Sequence, residues 1–233
     1  MLLISLFSFR FFKENLAFIS FIYMLAILLI LALASANDSC PGASVQVTDK
    51  NVEKGKYQKC TTLETLTFAD TVKTIGESAF EECTGLKGTI TFPDSLTSIG
   101  ANAFYGCSSI QNIVFSNGIE QINESAFANC GAISTFGSIP TSLNLLGKSA
   151  FENCSALTSS LTIPDDLLII PERAFYGCSE LSGLVLGRNV QLISKEAFYD
   201  CIKLSLQRSS YGNYYPSSLT RIEDFAFFNC SVL

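Results

Sequence analysis

The amino-acid sequence predicts a repeat solenoid, built mainly of β-structure, with a parallel sheet on one face and short helical or 3₁₀ turns on the other. Two observations favour this fold class. An Ala-Phe pair recurs every 23 or 24 residues through most of the chain, and a short apolar stretch follows each pair. A unit of that length cannot bury its own apolar face, so we expect consecutive units to stack and share one core.

Four columns of equivalent residues define the unit. The Phe column is Phe80, Phe104, Phe127, Phe151, Phe175, Phe198 and Phe227. The Cys column, three residues further on, is Cys83, Cys107, Cys130, Cys154, Cys178, Cys201 and Cys230, and Cys60 extends it backwards with Tyr57 in the Phe place. Aliphatic residues stand three positions after each Cys, from Leu63 to Leu233, and five positions before each Phe, from Ile75 to Ile222. Because the four columns repeat together, they indicate side chains stacked in one interior.

In the short stretch after each Cys-x-x-aliphatic segment, inward and outward residues alternate as in a β-strand. We expect Leu66, Ile90, Ile113, Leu161 and Leu184 to point inward, together with Phe68, Phe92, Phe115, Ile139, Ile163 and Leu186. The outward column is then Thr67, Thr91, Val114, Ser138, Thr162 and Val185. The column before it, also outward, is Thr65, Thr89, Asn112, Phe136, Ser160 and Gly183. Both outward columns are uncharged, which suits a contact face and equally suits plain β propensity.

The pattern I-x-x-x-A-F-x-x-C-x-x-L resembles the BspA-like leucine-rich-repeat family. The segments IGESAFEECTGL, INESAFANCGAI and IPERAFYGCSEL carry the resemblance, which extends from Val52 to Leu233. It implies a curved right-handed solenoid at a cell surface, commonly used for adhesion to host or matrix proteins. Three departures from the pattern are Tyr57 in the first unit, Gly137 at a usually apolar strand position, and a longer sixth unit.

The first 36 residues have the features of an export segment. Leu16 to Leu33 carries no charge, Arg10 and Lys13 precede it, and Ala-Ser-Ala ending at Ala36 follows it. This order predicts a signal peptide cleaved after Ala36, or a retained signal anchor with the basic residues in the cytosol. Either alternative makes the rest of the chain secreted or cell-surface. We therefore divide the chain into residues 1–36 (signal peptide or anchor), 37–51 (N-terminal cap) and 52–233 (about seven units, the last truncated).

Composition narrows the function classes. The net charge is -6 and the chain has no His, so nucleic acid and anionic membrane surfaces are unsuitable partners, and the usual general base is missing. Asp165 and Asp166 are adjacent in a predicted turn, where carboxylates are usually solvated rather than paired for catalysis. We predict no cofactor and no enzyme activity. The expected function is binding of a protein or glycan outside the cell, and the rival is a structural spacer rod without a ligand.

The cysteines predict a ladder of buried thiols. Equivalent side chains in stacked units run parallel, about one strand spacing apart, which exceeds the roughly 3.5–4.5 Å between Cβ atoms that a disulfide needs. Cys40 lies outside the column, so a Cys40–Cys60 disulfide is an alternative to a free thiol at Cys60. No two Cys have the C-x-x-C spacing of a zinc site.

The sixth unit contains an insertion, SSYGNYYP, with Tyr211, Tyr214 and Tyr215. Insertions in repeats often lie on the binding side, and Tyr among Ser, Gly and Asn is typical of recognition loops, although a tolerated surface insertion explains it too. An ice-binding Thr array from Thr65/Thr67 and Thr89/Thr91 is not continued in the third unit.

Four N-x-S sequons predict N-glycosylation, at Asn37, Asn123, Asn153 and Asn229.

No polar cap follows the last Cys-x-x-Leu. Since solenoids need terminal caps for solubility, we expect a fragment, an incomplete gene model, or end-to-end self-association.

Overall fold

The computed structural model describes residues 40–210 and 212–233, so the export segment, Asn37 and Tyr211 lie outside the described residues. The described chain is a parallel β-solenoid, as predicted. In chain order its strands are β1 (Ser44–Val47), β2 (Asn51–Val52), β3 (Thr65–Phe68), β4 (Thr74–Ile75), β5 (Gly88–Thr91), β6 (Ser98–Ile99), β7 (Ile110–Val114), β8 (Gln121–Ile122), β9 (Leu145–Leu146), β10 (Ser160–Thr162), β11 (Ile169–Ile170), β12 (Gly183–Val185), β13 (Leu192–Ile193), β14 (Ser205–Leu206) and β15 (Arg221–Ile222).

The front strands are β3, β5, β7, β10, β12 and β14, each of which follows a residue of the Cys column, together with β1 in the N-terminal cap. They pair in parallel, one unit to the next, as in the register Leu161–Leu184–Leu206. The predicted parallel sheet on one face is therefore present. It is interrupted, however, because the front strands form three separate groups, β1–β3, β5–β7 and β10–β12–β14.

The remaining strands form a second line, which we call the side strands. Each has two residues and ends on the aliphatic column, which is buried from Val52 to Ile193 and exposed at Ile222, and the strands pair as in Val52–Ile75–Ile99–Ile122–Leu146. The sequence indicated burial at these positions but not a strand. A two-residue strand is too short to show an alternating pattern, so only the pairing with neighbouring units makes it visible.

The predicted helical or 3₁₀ turn at the Ala-Phe segment is wrong. Hydrogen bonds within a unit, such as Ala79 N–H to the Gly76 carbonyl at 3.3 Å, alternate with bonds to the next unit, such as Phe80 N–H to the Ala103 carbonyl at 2.8 Å. The physical reason is a left-handed residue two positions before and after each Phe, as at Ser78 (φ 54°). In a helix every N–H points back along the same segment, whereas this alternation turns every second N–H towards the neighbouring unit. We call this third set of inter-unit hydrogen bonds the turn ladder.

The Phe column fills the interior. From Phe80 to Phe198 each ring is fully buried. Successive rings stack face to face, with centroids 5.1 Å apart for Phe80 and Phe104 and 5.4 Å apart for Phe175 and Phe198. Stacked rings at the repeat distance explain why one residue type occupies this column throughout.

The fourth unit corrects two predicted orientations. Thr135 pairs with Asn112, so Phe136 occupies the inward position next to Ile113 and is 1% exposed. Phe136 was predicted to point outward. Ser138 was predicted to continue the Val114 position, but Gly137, with a φ of 64°, holds that register, and Ser138 is an additional exposed residue before the buried Ile139. Burial of the apolar Phe136 ring sets the register, because this burial stabilises the fold more than a front strand of regular length would.

Candidate ligand-binding face

The outward residues of the front strands form an uncharged surface, which we call the front face. Thr67, Thr91, Val114 and Thr162 are exposed and Val185 is half-buried. Strand alternation produces this arrangement, since their neighbours Leu66, Ile90, Ile113, Leu161 and Leu184 are buried. The structure therefore brings five of the six predicted contact positions into one row, and Ser138 lies exposed beside it.

One front-face residue was missed by the sequence analysis. Leu206 pairs with Leu184, so the following residue, Gln207, continues the row after Val185. Its side chain crosses the neighbouring strand, and the Ser160 hydroxyl lies 3.1 Å from Gln207 Oε1. A Cβ at Gly183 would lie 2.4 Å from Gln207 Nε2 and 2.6 Å from Ser160 Oγ, so a larger residue there would displace the crossing side chain. The sequence obscured this register, because only two positions separate Leu204 from Leu206, whereas three separate Leu181 from Leu184.

The front face opens between β3 and β5. These strands are neighbours in the solenoid but belong to different hydrogen-bonded groups. The opening is a cleft of about 260 Å³, lined by Leu66, Thr67, Phe68, Asp70, Thr89, Thr91, Phe92 and Pro93. We call it the threonine cleft. It includes two of the predicted contact residues, Thr67 and Thr91.

The insertion of the sixth unit lies beside the end of β12. The Ser209 N–H donates to the Asn213 carbonyl at 2.9 Å, which closes a short loop. A second cavity of about 170 Å³ is lined by Leu186, Arg188, Ser209, Asn213, Pro216 and Ser217. Tyr214 and Tyr215 are each 47% exposed, and the Arg208 guanidinium lies 5.1 Å from the centre of the Tyr214 ring. Two of the three predicted tyrosines are thus presented to solvent.

The cysteines form an internal ladder of thiols. From Cys83 to Cys230, all seven are free, and each Sγ donates to the carbonyl of the aromatic residue one unit earlier, as in Cys107 to Phe80 at 3.0 Å. Burial raises the pKa of Cys83 to about 11 and those of Cys130 and Cys178 to about 12. These thiols are neutral at physiological pH, which makes them poor nucleophiles and poor metal ligands.

Cys60 is the exception in the column, because it forms a disulfide with Cys40, with the two Cα atoms 5.3 Å apart. Cys40 precedes Cys60 by 20 residues rather than by one repeat of 23 or 24, so it is not the stacked equivalent of Cys60 and the parallel-side-chain argument does not apply to it. Within residues 40–210 and 212–233, no group of three His, Cys, Asp or Glu side chains could hold a metal ion. The same residues contain no helix with the length and apolarity to cross a membrane.

The three described sequons differ in environment. The Asn123 amide donates to the Ile99 carbonyl at 2.8 Å, which holds it against the preceding unit. Asn153 and Asn229 are exposed, and both adopt a left-handed backbone in the turn ladder. Their amides donate to side chains of the preceding unit, Asn153 to Asn129 and Asn229 to Asp200. Glycosylation at Asn153 or Asn229 would have to displace these side-chain hydrogen bonds.

Two further surfaces were not predicted. The side strands expose Leu145, Ile169 and the neighbouring Leu168, where the earlier units carry Thr74, Ser98 and Gln121.

On the turn ladder, the rings of Tyr176, Tyr199 and Phe228 stack at 4.9 and 4.8 Å. Arg173 lies 3.9 Å from the centre of the Tyr176 ring and pairs with Glu152 and Glu196, so these charges tie three units together.

The last described unit exposes groups that earlier units cover. Ile222, Phe225, Phe228, Val232 and Leu233 are all exposed apolar residues. The turn-ladder N–H groups of this unit, at Phe225, Phe227 and Asn229, occupy the positions that donate to a following unit elsewhere in the solenoid. This end therefore combines apolar surface with hydrogen-bond donors that all face the same way.

Stacked units of strand, side strand and turn, with one shared core, define a leucine-rich-repeat solenoid. The chain belongs to the BspA type leucine rich repeat family, whose model matches residues 50–159 and 155–233 in six copies. Among solved structures it is similar to the leucine-rich-repeat protein TpLRR of T. pallidum, with 28% identity over 70% of this chain and 78% of that chain and a TM-score of 0.63.

The chain is also similar in fold to the pneumococcal vaccine antigen PcpA. The identity is 23%, the match covers 81% of this chain and 54% of the antigen, and the TM-score is 0.53. The chain thus spans about half the length of that protein. No curated protein matches the chain.

Proposed function

We propose that this chain is a secreted or cell-surface binding module that recognises a protein outside the cell, and that it is not an enzyme. One observation carries the proposal: an uncharged, exposed row on the front face runs to the edge of an insertion that presents two exposed tyrosines. Insertions into a regular repeat change one local surface and leave the core intact, which is how solenoids acquire specific contacts.

The chemistry of this surface suits recognition. Tyr supplies a large contact area at a low entropic cost, and Ser, Gly and Asn around it supply adaptable hydrogen bonds. The small hydroxyl and aliphatic side chains of the front face lose little rotamer freedom on contact. Catalysis is disfavoured because six of the seven free thiols in the described chain are buried and Cys230 is partly buried, and burial keeps such thiols protonated.

Three observations support an extracytoplasmic location. The first 36 residues have the order of charges and apolar residues of an export segment. The Cys40–Cys60 disulfide joins the cap to the first unit, and stable disulfides are typical of oxidising compartments. The pneumococcal protein of similar fold is described as a vaccine antigen, which agrees with exposure on a cell.

The proposal is tested with the purified chain on an array of extracellular host and matrix proteins. For a ligand found there, replacing Tyr211, Tyr214 and Tyr215 by Ser should weaken binding at least tenfold, since aromatic anchors each contribute more than about 1 kcal/mol. The melting temperature should not change, because the described tyrosines are exposed.

The control is Tyr105→Ser, which alters a half-buried tyrosine on the turn ladder and should leave affinity unchanged. Equal affinity of the triple variant and the native chain would remove the insertion as a contact site. An array without any ligand would favour the spacer rod.

A further inference from the structure

The threonine cleft results from one extra residue. Three positions separate Leu63 from Leu66 and Ile110 from Ile113, but four separate Leu86 from Ile90. Gly88 takes up the additional residue with a φ of 77°, and the pairing of β5 with β7 shifts register between Gly88 and Thr89. As a result β5 pairs with β7 but not with β3. The cleft is therefore a consequence of the unequal lengths of the units.

The cleft has an apolar floor and polar sides. Leu66 and Phe92 are almost completely buried beneath it, and Phe68 is partly exposed. The Thr67, Thr89 and Thr91 side chains are exposed along it. Its volume of about 260 Å³ is far above the roughly 10–15 Å³ that a single water molecule needs, so it has room for a side chain.

Asp70 is the only charged residue that lines the cleft. Its carboxylate is exposed and forms no ion pair with any residue in the described part of the chain. By contrast, two other carboxylates near the front strands pair with a cation of the next unit. Glu64 pairs with Lys87, and Asp165 pairs with Arg188. The cleft therefore offers an uncompensated negative charge beside apolar surface.

We propose that the threonine cleft receives a lysine or arginine side chain of the protein ligand. This inference rests on the proposed function. The aliphatic stem of such a side chain covers the floor of Leu66, Phe68 and Phe92, and its cationic head reaches Asp70 and the threonine hydroxyls. A carboxylate would be repelled by Asp70, and a purely apolar side chain would leave that charge without a partner.

The test uses single-residue probes and therefore needs no known ligand. The isotope-labelled full chain is titrated with the Nα-acetyl methylamides of lysine, arginine, norleucine and glutamate, while the methyl signals of Thr67, Thr89 and Thr91 are followed by NMR. The lysine or arginine probe should shift these signals saturably, with a Kd in the millimolar range. Asp70→Asn should weaken this binding by up to about fivefold, the upper end of what one exposed ion pair contributes.

The matched control is Asp94→Asn. Asp94 stands in the next unit at the position equivalent to Asp70, is also exposed, and does not line the cleft. This variant should bind the basic probes as the native chain does. Equal shifts with norleucine or glutamate, equal weakening by both variants, or no saturable shift at all would overturn the proposal.

The outcome is separable from that of the proposed function. If the basic probes bind in the cleft but no extracellular protein binds the chain, the proposed function fails and the cleft chemistry stands. If a protein ligand binds and Asp70→Asn does not change its affinity, while the basic probes leave the threonine signals unmoved, the cleft inference fails alone.

Discussion

Replacing Phe127 by Ala tests the stacking of the interior directly. The Phe127 ring is fully buried, with the Phe104 and Phe151 rings stacked on its two faces at 5.2 and 5.4 Å. The Phe92 and Phe115 rings contact it edge-on at 6.3 and 5.8 Å. Its removal would leave a cavity between two rings whose positions are set by the hydrogen bonds of the ladder, so the site cannot collapse easily.

The expected magnitude follows from these contacts. Buried Phe→Ala changes cost about 3–5 kcal/mol in free energy of unfolding. The four ring contacts place Phe127 in the upper part of that range, since aromatic pairs contribute beyond their buried area. For a chain of this size, 4 kcal/mol corresponds to a fall in melting temperature of roughly 8–16 °C.

Urea unfolding followed by circular dichroism measures the effect. The control is Phe225→Ala, in the last unit, where the ring is 56% exposed and the change should stay within about 0.5 kcal/mol. Equal losses for the two variants, or a loss below about 1 kcal/mol for Phe127→Ala, would refute the argument that the Phe column holds the units together.

Three further predictions concern the cysteines. Iodoacetamide at pH 8 should leave Cys107, Cys130, Cys154 and Cys178 unmodified in the native chain and alkylate them after denaturation without reduction, as read by mass spectrometry; pairing of these four would contradict the thiol ladder. Because the folded state raises the pKa of Cys130 to about 12, against about 8.5 unfolded, its stabilising contribution is complete below pH 8.5 and declines above it. Unfolding free energies at pH 8 and pH 10 should therefore fall less for Cys130→Ala than for the native chain, and identical slopes would count against this linkage. Cys40→Ala should cost about 3 kcal/mol under oxidising conditions, since it opens a loop of about 20 residues, and should cost little in reductant; a loss that reductant does not change would mean that the disulfide is not the cause.

The columns of the repeat could be read from the sequence because they depend only on period. Any residue that recurs at a fixed spacing, such as Phe127 and Phe151, must stack on its equivalents once the units are parallel. The same reasoning predicted the front strands and the outward positions of Thr67, Thr91, Val114, Thr162 and Val185. It failed at Ser138, where an extra residue moved the register and the sequence does not say which residue leaves the strand.

The turn ladder and the side strands could not be predicted from the sequence, for a related reason. Left-handed backbone at Ser78 or Arg173 is unusual for these residue types, and it is stabilised by hydrogen bonds to the next unit rather than by local preference. A single unit read alone favours a helical turn. Only the neighbouring carbonyls make the alternating conformation the better one.

The sequence by itself determined the architecture, the buried columns and the family, because a period of 23 or 24 residues with matched apolar positions admits few other folds. The tertiary structure alone decided where that regularity breaks. The partner of Cys40, the crossing of Gln207 over Gly183 and the threonine cleft all depend on how one unit accommodates an extra or displaced residue against its neighbour. Such accommodation is a balance of burial and hydrogen bonding between units, and it becomes definite only when the units are stacked.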